Sequence, residues 1–358
     1  MHVHFREPGF SYKETIKSGS MAAAAGGFTT VCTMPNLNPV PDSVESLGRQ
    51  LEIIERDAVV NVIPFASITK GRQGDDFVDY AALAPYVAGF SDDGSGVQSE
   101  VVMREAMKRI AATGKILAAH CEVDSLLNGG YVHDCGRLRD KGHPGICSES
   151  EWREIERDIR LAEETGCRLH ICHVSTKEGV VLIREAKARG VAVTAETAPH
   201  YLTFCDEDIL DDGRFKMNPP IRERADRDAL RRGVADGTID VIATDHAPHS
   251  LQEKSRGLRG SAMGVVGLET SLAAVYTVMV KSGLMSMERL IDAMALRPRQ
   301  ILGLPQEDDF IEVDFDESFT VDPSRFLTQG RSTPFDGIEL YGVVKATYRN
   351  GKKIYERR

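Results

Sequence analysis

Two histidines separated by one residue lie at the start of the chain, in the run His2-Val3-His4. Successive side chains of a β-strand point to opposite faces, so residues two apart point to the same side. Imidazole is a good ligand for zinc and similar divalent metals. The pair could therefore chelate one metal ion from a single strand, although a lone H-x-H is weak evidence by itself.

Further potential metal ligands follow four apolar, β-branched runs later in the chain. Residues 86–91 lead into Asp92 and Asp93, and residues 115–119 lead into His120. Residues 168–172 and 240–244 lead into His173 and Asp245. Between these runs lie helical patterns, at residues 100–113, 148–166, 176–190 and 225–237. Several of them end in glycine, as helices often do.

Alternating strands and helices are typical of a parallel α/β fold. Residues 1–3, 28–34, 59–68 and 191–197 bring the number of strand segments to about eight. This pattern predicts a (β/α)8 barrel, whose active site lies at the carboxyl ends of its strands. A doubly wound sheet is the competing interpretation. It normally carries a glycine-rich phosphate turn, and Asp93-Gly94-Ser95-Gly96 is too short to be one.

The length of 358 residues accommodates such a barrel and an accessory unit. We expect the barrel to span residues 1–304 and an accessory β segment to span residues 305–358. Strands are predicted at residues 310–321 and 342–355, the second with an Asn350-Gly351 turn. Only Met1 precedes His2, so the first barrel strand is expected to be truncated and the accessory unit to be incomplete at the N-terminus.

Several classes of protein are disfavoured by composition. A net charge of −10 argues against nucleic-acid binding. The sequence contains neither an apolar run of about 18 residues nor a signal-peptide pattern. Seven cysteines without a C-x-x-C motif fit reduced thiols. We therefore expect a cytoplasmic protein that binds neither membrane nor nucleic acid.

Eight motifs, spread in order along the predicted barrel, carry a family resemblance. They are His2 to Gly9, Thr33-Met34-Pro35-Asn36, Phe90-Ser91-Asp92-Asp93-Gly94, Ala119-His120-Cys121-Glu122, Cys172-His173-Val174-Ser175-Thr176, Lys216-Met217-Asn218-Pro219-Pro220-Ile221-Arg222, Ala243-Thr244-Asp245-His246-Ala247-Pro248-His249 and Gly264 to Thr270. In these motifs the chain resembles the amidohydrolase superfamily of metal-dependent barrels. Within it the chain is most similar to the dihydroorotases of the longer, type I class.

The resemblance implies a centre with two zinc ions. One ion would be held by His2, His4 and Asp245, and the other by His120 and His173, with Asp93 between them. Dihydropyrimidinases, hydantoinases and allantoinases normally bridge their metals with a carboxylated lysine, where this chain offers Asp92 and Asp93. Adjacent side chains at a strand end diverge, so one of these acids bridges, and we choose Asp93.

The resemblance also implies a substrate and a reaction. The family opens the cyclic amide of L-dihydroorotate reversibly to N-carbamoyl-L-aspartate, with Asp245 as the residue that transfers the proton. Positions matching Arg6, Asn36 and His249 bind the substrate carboxylate. Asn218 and the backbone around Gly264 match positions that hold the pyrimidine ring. A guanidinium at Arg6 suits a carboxylate, because the two form bidentate pairs.

Two other functions stay open. The chain could be another cyclic-amide hydrolase, such as a dihydropyrimidinase, hydantoinase or allantoinase, which Asp93 and Arg6 disfavour. It could instead be an inert dihydroorotase-like scaffold subunit, although such subunits generally lose metal ligands. The resemblance implies a homo-oligomer and allows an aspartate transcarbamoylase partner. His133, His143, His170 and His200 match no ligand motif and are expected to be structural or surface residues.

Overall fold

The computed structural model describes residues 1–357, and short parallel strands form the centre of the molecule. In chain order the strands before the C-terminal region are β1 Thr30–Thr33, β2 Asn61–Pro64, β3 Gly89–Phe90, β4 Ile116–Ala119, β5 Val132–His133, β6 Gly145–Ile146, β7 Arg168–Ile171, β8 Val193–Thr197 and β9 Val241–Ile242. Strand β1 pairs with β2, β5 pairs with β6, and the other five follow the order β3-β4-β7-β8-β9. All of these pairings are parallel, as the sequence pattern predicts.

Isolated β-bridges extend the β1-β2 pair and the five-stranded group. Ala66 is bridged to Phe90, which joins the end of β2 to β3. Val3 is bridged on one side to Thr33 and on the other to His246, four residues after β9. The Val3 amide donates to Cys32 O at 3.0 Å. The first predicted strand is therefore represented by one bridged residue between β1 and the segment that follows β9.

Helices alternate with the strands. The longest are α1 Ile16–Ala25, α2 Val44–Asp57, α3 Glu100–Ala111, α4 Glu149–Thr165, α5 Lys177–Ala188 and α6 Arg224–Ala235. The last four match the predicted helices to within two residues at each end. Shorter α-helices span Tyr80–Leu83, Gly136–Arg139, Pro199–Thr203, Leu251–Lys254, Gly257–Gly260, Ser271–Val275, Met287–Ile291 and Arg297–Leu302, and π-helical turns span Tyr276–Val280 and Asp292–Leu296.

Apolar stripes on the helices hold them against the strands. On α3, the side chains of Met103, Met107 and Ile110 recur every three or four residues and are buried. They belong to a large apolar cluster that also contains Leu117 of β4 and Leu169 of β7. Burial of such side chains contributes about 1.5–3 kcal/mol each. This packing fixes where the strands end, and with them the polar residues that follow.

The C-terminal region forms a separate antiparallel sheet. Its strands are β10 Phe310–Thr320, β11 Glu339–Arg349 and β12 Lys352–Glu356, in the order β10-β11-β12. The turn between β11 and β12 is Asn350-Gly351, with both residues in the left-handed region at φ 49° and 70°, as favoured in two-residue hairpins. The Thr347 hydroxyl donates to Ala24 O at 2.7 Å and links this sheet to α1. Within residues 1–357 no helix has the length and apolar character needed to cross a bilayer.

Candidate metal centre and active site

His2 and His4 project to the same side of the extended segment at Val3. Val3 packs into an apolar cluster with Phe5 and Ile16. The two imidazole rings lie with their centroids 5.2 Å apart, and both are buried, with exposed fractions of 0% and 4%. The backbone bridges of Val3 therefore set the paired orientation that the H-x-H spacing predicts.

The carboxylate of Asp93 is the common neighbour of four histidines. Its Oδ1 lies 3.5 Å from His2 Nε2, and its Oδ2 lies 3.5 Å from His4 Nε2. On the other side, Oδ1 lies 3.3 Å from His173 Nε2 and 3.7 Å from His120 Nδ1. Asp93 thus stands between the histidine pair at the start of the chain and the pair that follows β4 and β7.

Asp245 completes the cluster from the segment after β9. Its Oδ1 lies 3.1 Å from His4 Nε2 and 3.5 Å from His2 Nε2. The backbone of Asp245 has φ 43°, and that of His173 has φ 33°. Non-glycine residues rarely adopt positive φ, and such strain of about 1–3 kcal/mol concentrates at functional sites. The turn after each strand therefore directs a polar side chain into the cluster at a cost in backbone energy.

The cluster has the donor chemistry of a metal centre. Ligand atoms of His2, His4 and Asp93 lie within 4.8 Å of one another, as do those of Asp93, His120 and His173. His2 Nε2 is buried and has no hydrogen-bond partner in the described structure. A buried polar atom without a partner is costly, and a coordinated cation would satisfy it. These residues fit two adjacent divalent metal ions that share one carboxylate.

The electrostatics of the cluster favour bound positive charge. Burial raises the pKa of Asp93, but His2 and hydrogen bonds from His120 and His173 outweigh it and hold that pKa well below its usual range. Burial lowers the pKa of His120, yet Asp93 and Glu122 raise it to about 10. Carboxylates therefore stay ionised here and attract cations, either protons on the histidines or metal ions.

Arg6 and His249 lie together beside the metal cluster. Arg6 Nη2 is 3.4 Å from His249 Nε2, and Arg6 Nε donates to Pro248 O at 3.2 Å. Burial, together with the charges of Arg6 and Lys13, lowers the pKa of His249 to about 3. Burial likewise lowers the pKa of Arg6, to about 10, which leaves it charged at neutral pH. The pair is one buried cation beside one neutral imidazole.

Asn36 contacts the cluster directly, and Asn218 contacts Glu122 beside it, each through one side-chain atom. Asn36 Oδ1 accepts from His4 Nδ1 at 2.8 Å, which leaves the Nδ2 amide group as a donor. Asn218 Nδ2 donates to Glu122 Oε2 at 2.9 Å, and its buried Oδ1 has no partner in the described structure. Both amides therefore keep one polar atom for a bound molecule.

Gly264 lies against His249 in a conformation that only glycine adopts readily. Its φ is +129°, and an added Cβ would lie 2.7 Å from Ala247 O and 3.1 Å from His249 Nε2. Its amide donates to Lys216 O at 3.0 Å. The structure thus brings every predicted metal-ligand and substrate residue into one region at the ends of the parallel strands.

Three contacts of this region involve residues that were not predicted as site residues. Glu196 Oε1 lies 2.6 Å from His2 Nδ1. Glu122 Oε2 lies 3.5 Å from His120 Nε2, and Lys13 Nζ lies 3.2 Å from His249 Nδ1. Glu122 falls inside a motif quoted above, and Glu196 is a carboxylate inside an apolar strand, which is an available signal. Nothing in the local pattern marks Lys13.

Curated proteins named dihydroorotase are similar to the chain over nearly all of its length. The protein from Fusobacterium nucleatum is 49% identical over 363 residues, which cover 99% of this chain and 85% of the relative. The protein from Geobacillus thermodenitrificans is 47% identical, with 100% and 86% covered. The protein from Bacillus subtilis is 46% identical, with 99% and 85% covered. The sequence profile of the family described as Dihydro-orotase-like matches residues 1–179.

Solved structures named as hydantoinases or dihydropyrimidinases have the same fold as the chain. An L-hydantoinase (dihydropyrimidinase) from Arthrobacter aurescens matches with a TM-score of 0.88 at 25% identity, covering 99% of this chain and 83% of that one. A dihydropyrimidinase from Brevibacillus agri matches with a TM-score of 0.83 at 18% identity, covering 99% and 83%. The chain therefore shares the α/β architecture of these hydrolases.

Proposed function

The chain belongs to the dihydroorotase family of cyclic amidohydrolases, and on this premise we propose that it interconverts L-dihydroorotate and N-carbamoyl-L-aspartate. This reaction is the third step of de novo pyrimidine biosynthesis. The observation that carries the proposal is the placement of Arg6, next to His249, beside a cluster of four histidines and two carboxylates. A buried guanidinium suits a ring that bears a carboxylate better than a neutral ring.

The cofactor in this proposal is a pair of Zn²⁺ ions. His2, His4 and Asp245 would hold one ion, His120 and His173 the other, and Asp93 both. This assignment is supported by the shared position of Asp93 and by the orphaned His2 Nε2. When bound, such a metal pair supplies a water acidified to a pKa near 7 and polarises the amide carbonyl.

Asp245 is the proton carrier in the proposed reaction. Hydrolysis forms a C–O bond at the ring carbonyl carbon, breaks the ring C–N bond, and adds a proton to the departing nitrogen. Asp245 accepts the proton from the attacking water and returns it to that nitrogen. Burial raises the pKa of Asp245, but hydrogen bonding to His4 and the neighbouring histidines lower it overall, so the resting group is an ionised base. Ring closure uses the same steps in reverse.

Residues beside the proposed metal ions would recognise the acidic ring. Arg6, His249 and the free amide group of Asn36 would bind the substrate carboxylate. Asn218 and the backbone of Gly264 would hold the ring. The neutral state of His249 and the charge of Arg6 favour one carboxylate at this position, because the nearby Lys13 is already paired with Glu253 at 2.9 Å and Arg6 has the unbalanced positive charge.

We extend the proposal to the architecture that carries this site. The bridges of Val3 to Thr33 and His246, and of Ala66 to Phe90, support a closed (β/α)8 barrel. The barrel would span residues 1–304. The antiparallel sheet β10-β11-β12 supports an accessory β unit at residues 305–358.

The cellular setting is part of the same proposal. All seven cysteines are free thiols, which supports a reducing, cytoplasmic location. The family resemblance implies self-association and allows an aspartate transcarbamoylase partner. The presence of all six metal-ligand residues supports a catalyst over an inert scaffold subunit.

The test is turnover by the Zn²⁺-loaded protein with matched rings. Dihydroorotate carries a carboxylate, whereas dihydrouracil is the same ring without it. We expect hydrolysis of dihydroorotate, loss of activity after chelation of the metal, and recovery on adding Zn²⁺. Faster turnover of dihydrouracil or hydantoin than of dihydroorotate would show that the chain is a dihydropyrimidinase-type hydrolase instead.

A further inference from the structure

A chain of buried polar side chains runs behind His2, away from the metal cluster. Glu196 Oε1 lies 2.6 Å from His2 Nδ1, and Glu196 Oε2 lies 3.2 Å from His170 Nε2. His170 Nδ1 lies 2.8 Å from Thr194 Oγ1. His2, His170 and Glu196 are each at most 1% exposed. A carboxylate in such a place needs a specific reason, because burying its charge is costly.

Strand register explains how these residues meet. His170 of β7 pairs directly with Thr194 of β8. Glu196 lies two residues after Thr194 and therefore projects from the same face of β8. Its carboxylate reaches His170 on the neighbouring strand and His2 at the start of the chain. Side chains of the adjacent parallel strands β7 and β8 therefore support the His2 ring, which lies on neither strand.

We propose that Glu196 is a positioning residue that orients the His2 ring with a hydrogen on Nδ1, toward Glu196, and with Nε2 facing Asp93 and Asp245. The proposal rests on the metal-binding role proposed above for His2, and not on the identity of the substrate. An ionised carboxylate only accepts hydrogen bonds, so the His2 nitrogen that contacts it carries the hydrogen. A neutral imidazole then has its lone pair on the other nitrogen, Nε2.

The consequence is a preset metal ligand. Nε2 of His2 lies 3.5 Å from both Asp93 and Asp245 and has no hydrogen-bond partner in the described structure. This orientation needs no rearrangement on metal binding, because Glu196 already contacts the opposite nitrogen of the ring at 2.6 Å. Carboxylates behind metal-binding histidines contribute about 10- to 100-fold to metal affinity in other proteins.

The alternative role is purely structural, as a buried ion pair that stabilises the strands. The two roles differ in what Glu196→Gln changes. A glutamine has nearly the same shape, but its amide can donate to Nδ1 and so stabilise the tautomer that carries its hydrogen on Nε2. A positioning role then predicts weaker metal binding by a folded protein. A structural role predicts lower stability with unchanged affinity.

The experiment measures Zn²⁺ affinity and stoichiometry without substrate, by competition with a chromophoric chelator. The variants are Glu196→Gln, Glu196→Asp and, as a control, Asp226→Asn. Asp226 is also a buried carboxylate, but it accepts hydrogen bonds from the backbone amides of Lys177 and Glu223 and not from a histidine ring. Thermal unfolding of each protein is followed in parallel.

We expect Glu196→Gln to weaken one of two Zn²⁺ equivalents by about 10- to 100-fold and to leave the equivalent at His120 and His173 in place. Glu196→Asp, which keeps the charge, should recover part of the loss, and Asp226→Asn should bind both ions as the parent does. Because no step uses substrate, the result stands whether or not dihydroorotate is hydrolysed. Parent affinity at both equivalents in folded Glu196→Gln would overturn the proposal.

A second measurement decides the matter if Glu196→Gln fails to fold. Selective ¹⁵N labelling of histidine in the unmodified Zn²⁺-loaded protein locates the ring hydrogen of His2. A hydrogen on Nδ1, coupled to Zn²⁺-bound Nε2, is the expected result. Coordination through Nδ1, or a hydrogen on Nε2, would overturn the positioning role directly.

Discussion

Asp92 and Asp93 are neighbours in the chain, yet their carboxylates lie in separate surroundings. Asp92 accepts from the amides of Ile68 and Thr69 at 2.7 and 3.2 Å and from the Thr69 hydroxyl at 2.5 Å. Asp93 instead lies among the four histidines. One acid therefore anchors the segment after β2, while the other faces the proposed metal ions.

Asp93→Ala should abolish the binding of two Zn²⁺ ions per chain, because the substitution removes the one carboxylate shared by both histidine pairs. The measurement is metal content after equilibration with excess Zn²⁺ and removal of the free ion.

Asp92→Ala is the matched control and should show the reverse pattern. Removing this carboxylate leaves up to three buried donors unpaired, so the free energy of unfolding should fall by about 2–4 kcal/mol, while two Zn²⁺ ions still bind. Denaturant titration and metal analysis on the same samples test this. Equal metal loss from both variants would mean that the bridging acid was assigned wrongly.

Asp245→Asn should be the most damaging isosteric change for turnover. It keeps an oxygen 3.1 Å from His4 but removes the base that carries the proton. Loss of such a group typically lowers the rate by about 10²- to 10⁴-fold, or roughly 3–5 kcal/mol of barrier. The measurement is kcat with dihydroorotate at verified Zn²⁺ occupancy. A near-parental rate at full occupancy would exclude Asp245 as the proton carrier.

Arg6→Met should separate acidic from neutral substrates, because it keeps an unbranched apolar side chain and deletes the guanidinium. We expect kcat/KM for dihydroorotate to fall by a factor that corresponds to about 2–4 kcal/mol of lost transition-state binding. This is the cost of leaving a buried charged partner unpaired. Turnover of dihydrouracil, however slow, should change little. Both rings are assayed on protein with matched metal content, and an unchanged kcat/KM for dihydroorotate would contradict carboxylate binding by Arg6.

His133 should make the protein less stable in mild acid. Burial and the Arg222 guanidinium, 3.4 Å from Nδ1, lower the pKa of His133 to about 4. The unfolded chain has a histidine pKa of about 6.5. Between these values the unfolded state binds a proton that the native state does not. Stability is therefore lost as pH falls from about 6.5 to 4, by about 1.4 kcal/mol per pH unit.

His133→Gln tests this effect, because glutamine does not titrate. Denaturant unfolding of the parent and the variant at several pH values from 7.5 to 4.5 gives the difference in slope. Proton uptake elsewhere is common to both proteins and cancels. The free energy of unfolding of the variant should fall less steeply on acidification than that of the parent, by close to the slope of about 1.4 kcal/mol per pH unit that one bound proton gives. Parallel curves would show that native His133 titrates normally.

Much of the scaffold follows from local pattern. Apolar β-branched runs that alternate with amphipathic segments predicted the strands β4 and β7 and the helices α3 to α6, with ends within two residues. The Asn350-Gly351 pair predicted a hairpin turn that the structure contains. These features depend on residues close together in the chain, so their periodicity and turn preferences are visible in the sequence.

The sequence by itself determined which residue types stand at the ends of the strands, among them His2, His4, His120, His173 and Asp245, and those motifs carried the family resemblance. Only the tertiary structure decided the contacts between distant residues: Glu196 behind His2, Glu122 beside Asn218, and Lys13 beside His249. It also placed Asp92 and Asp93 in different surroundings. The physical reason is that such contacts depend on strand register and on backbone turns after the strands, which are set by packing across the whole molecule and leave no local periodicity.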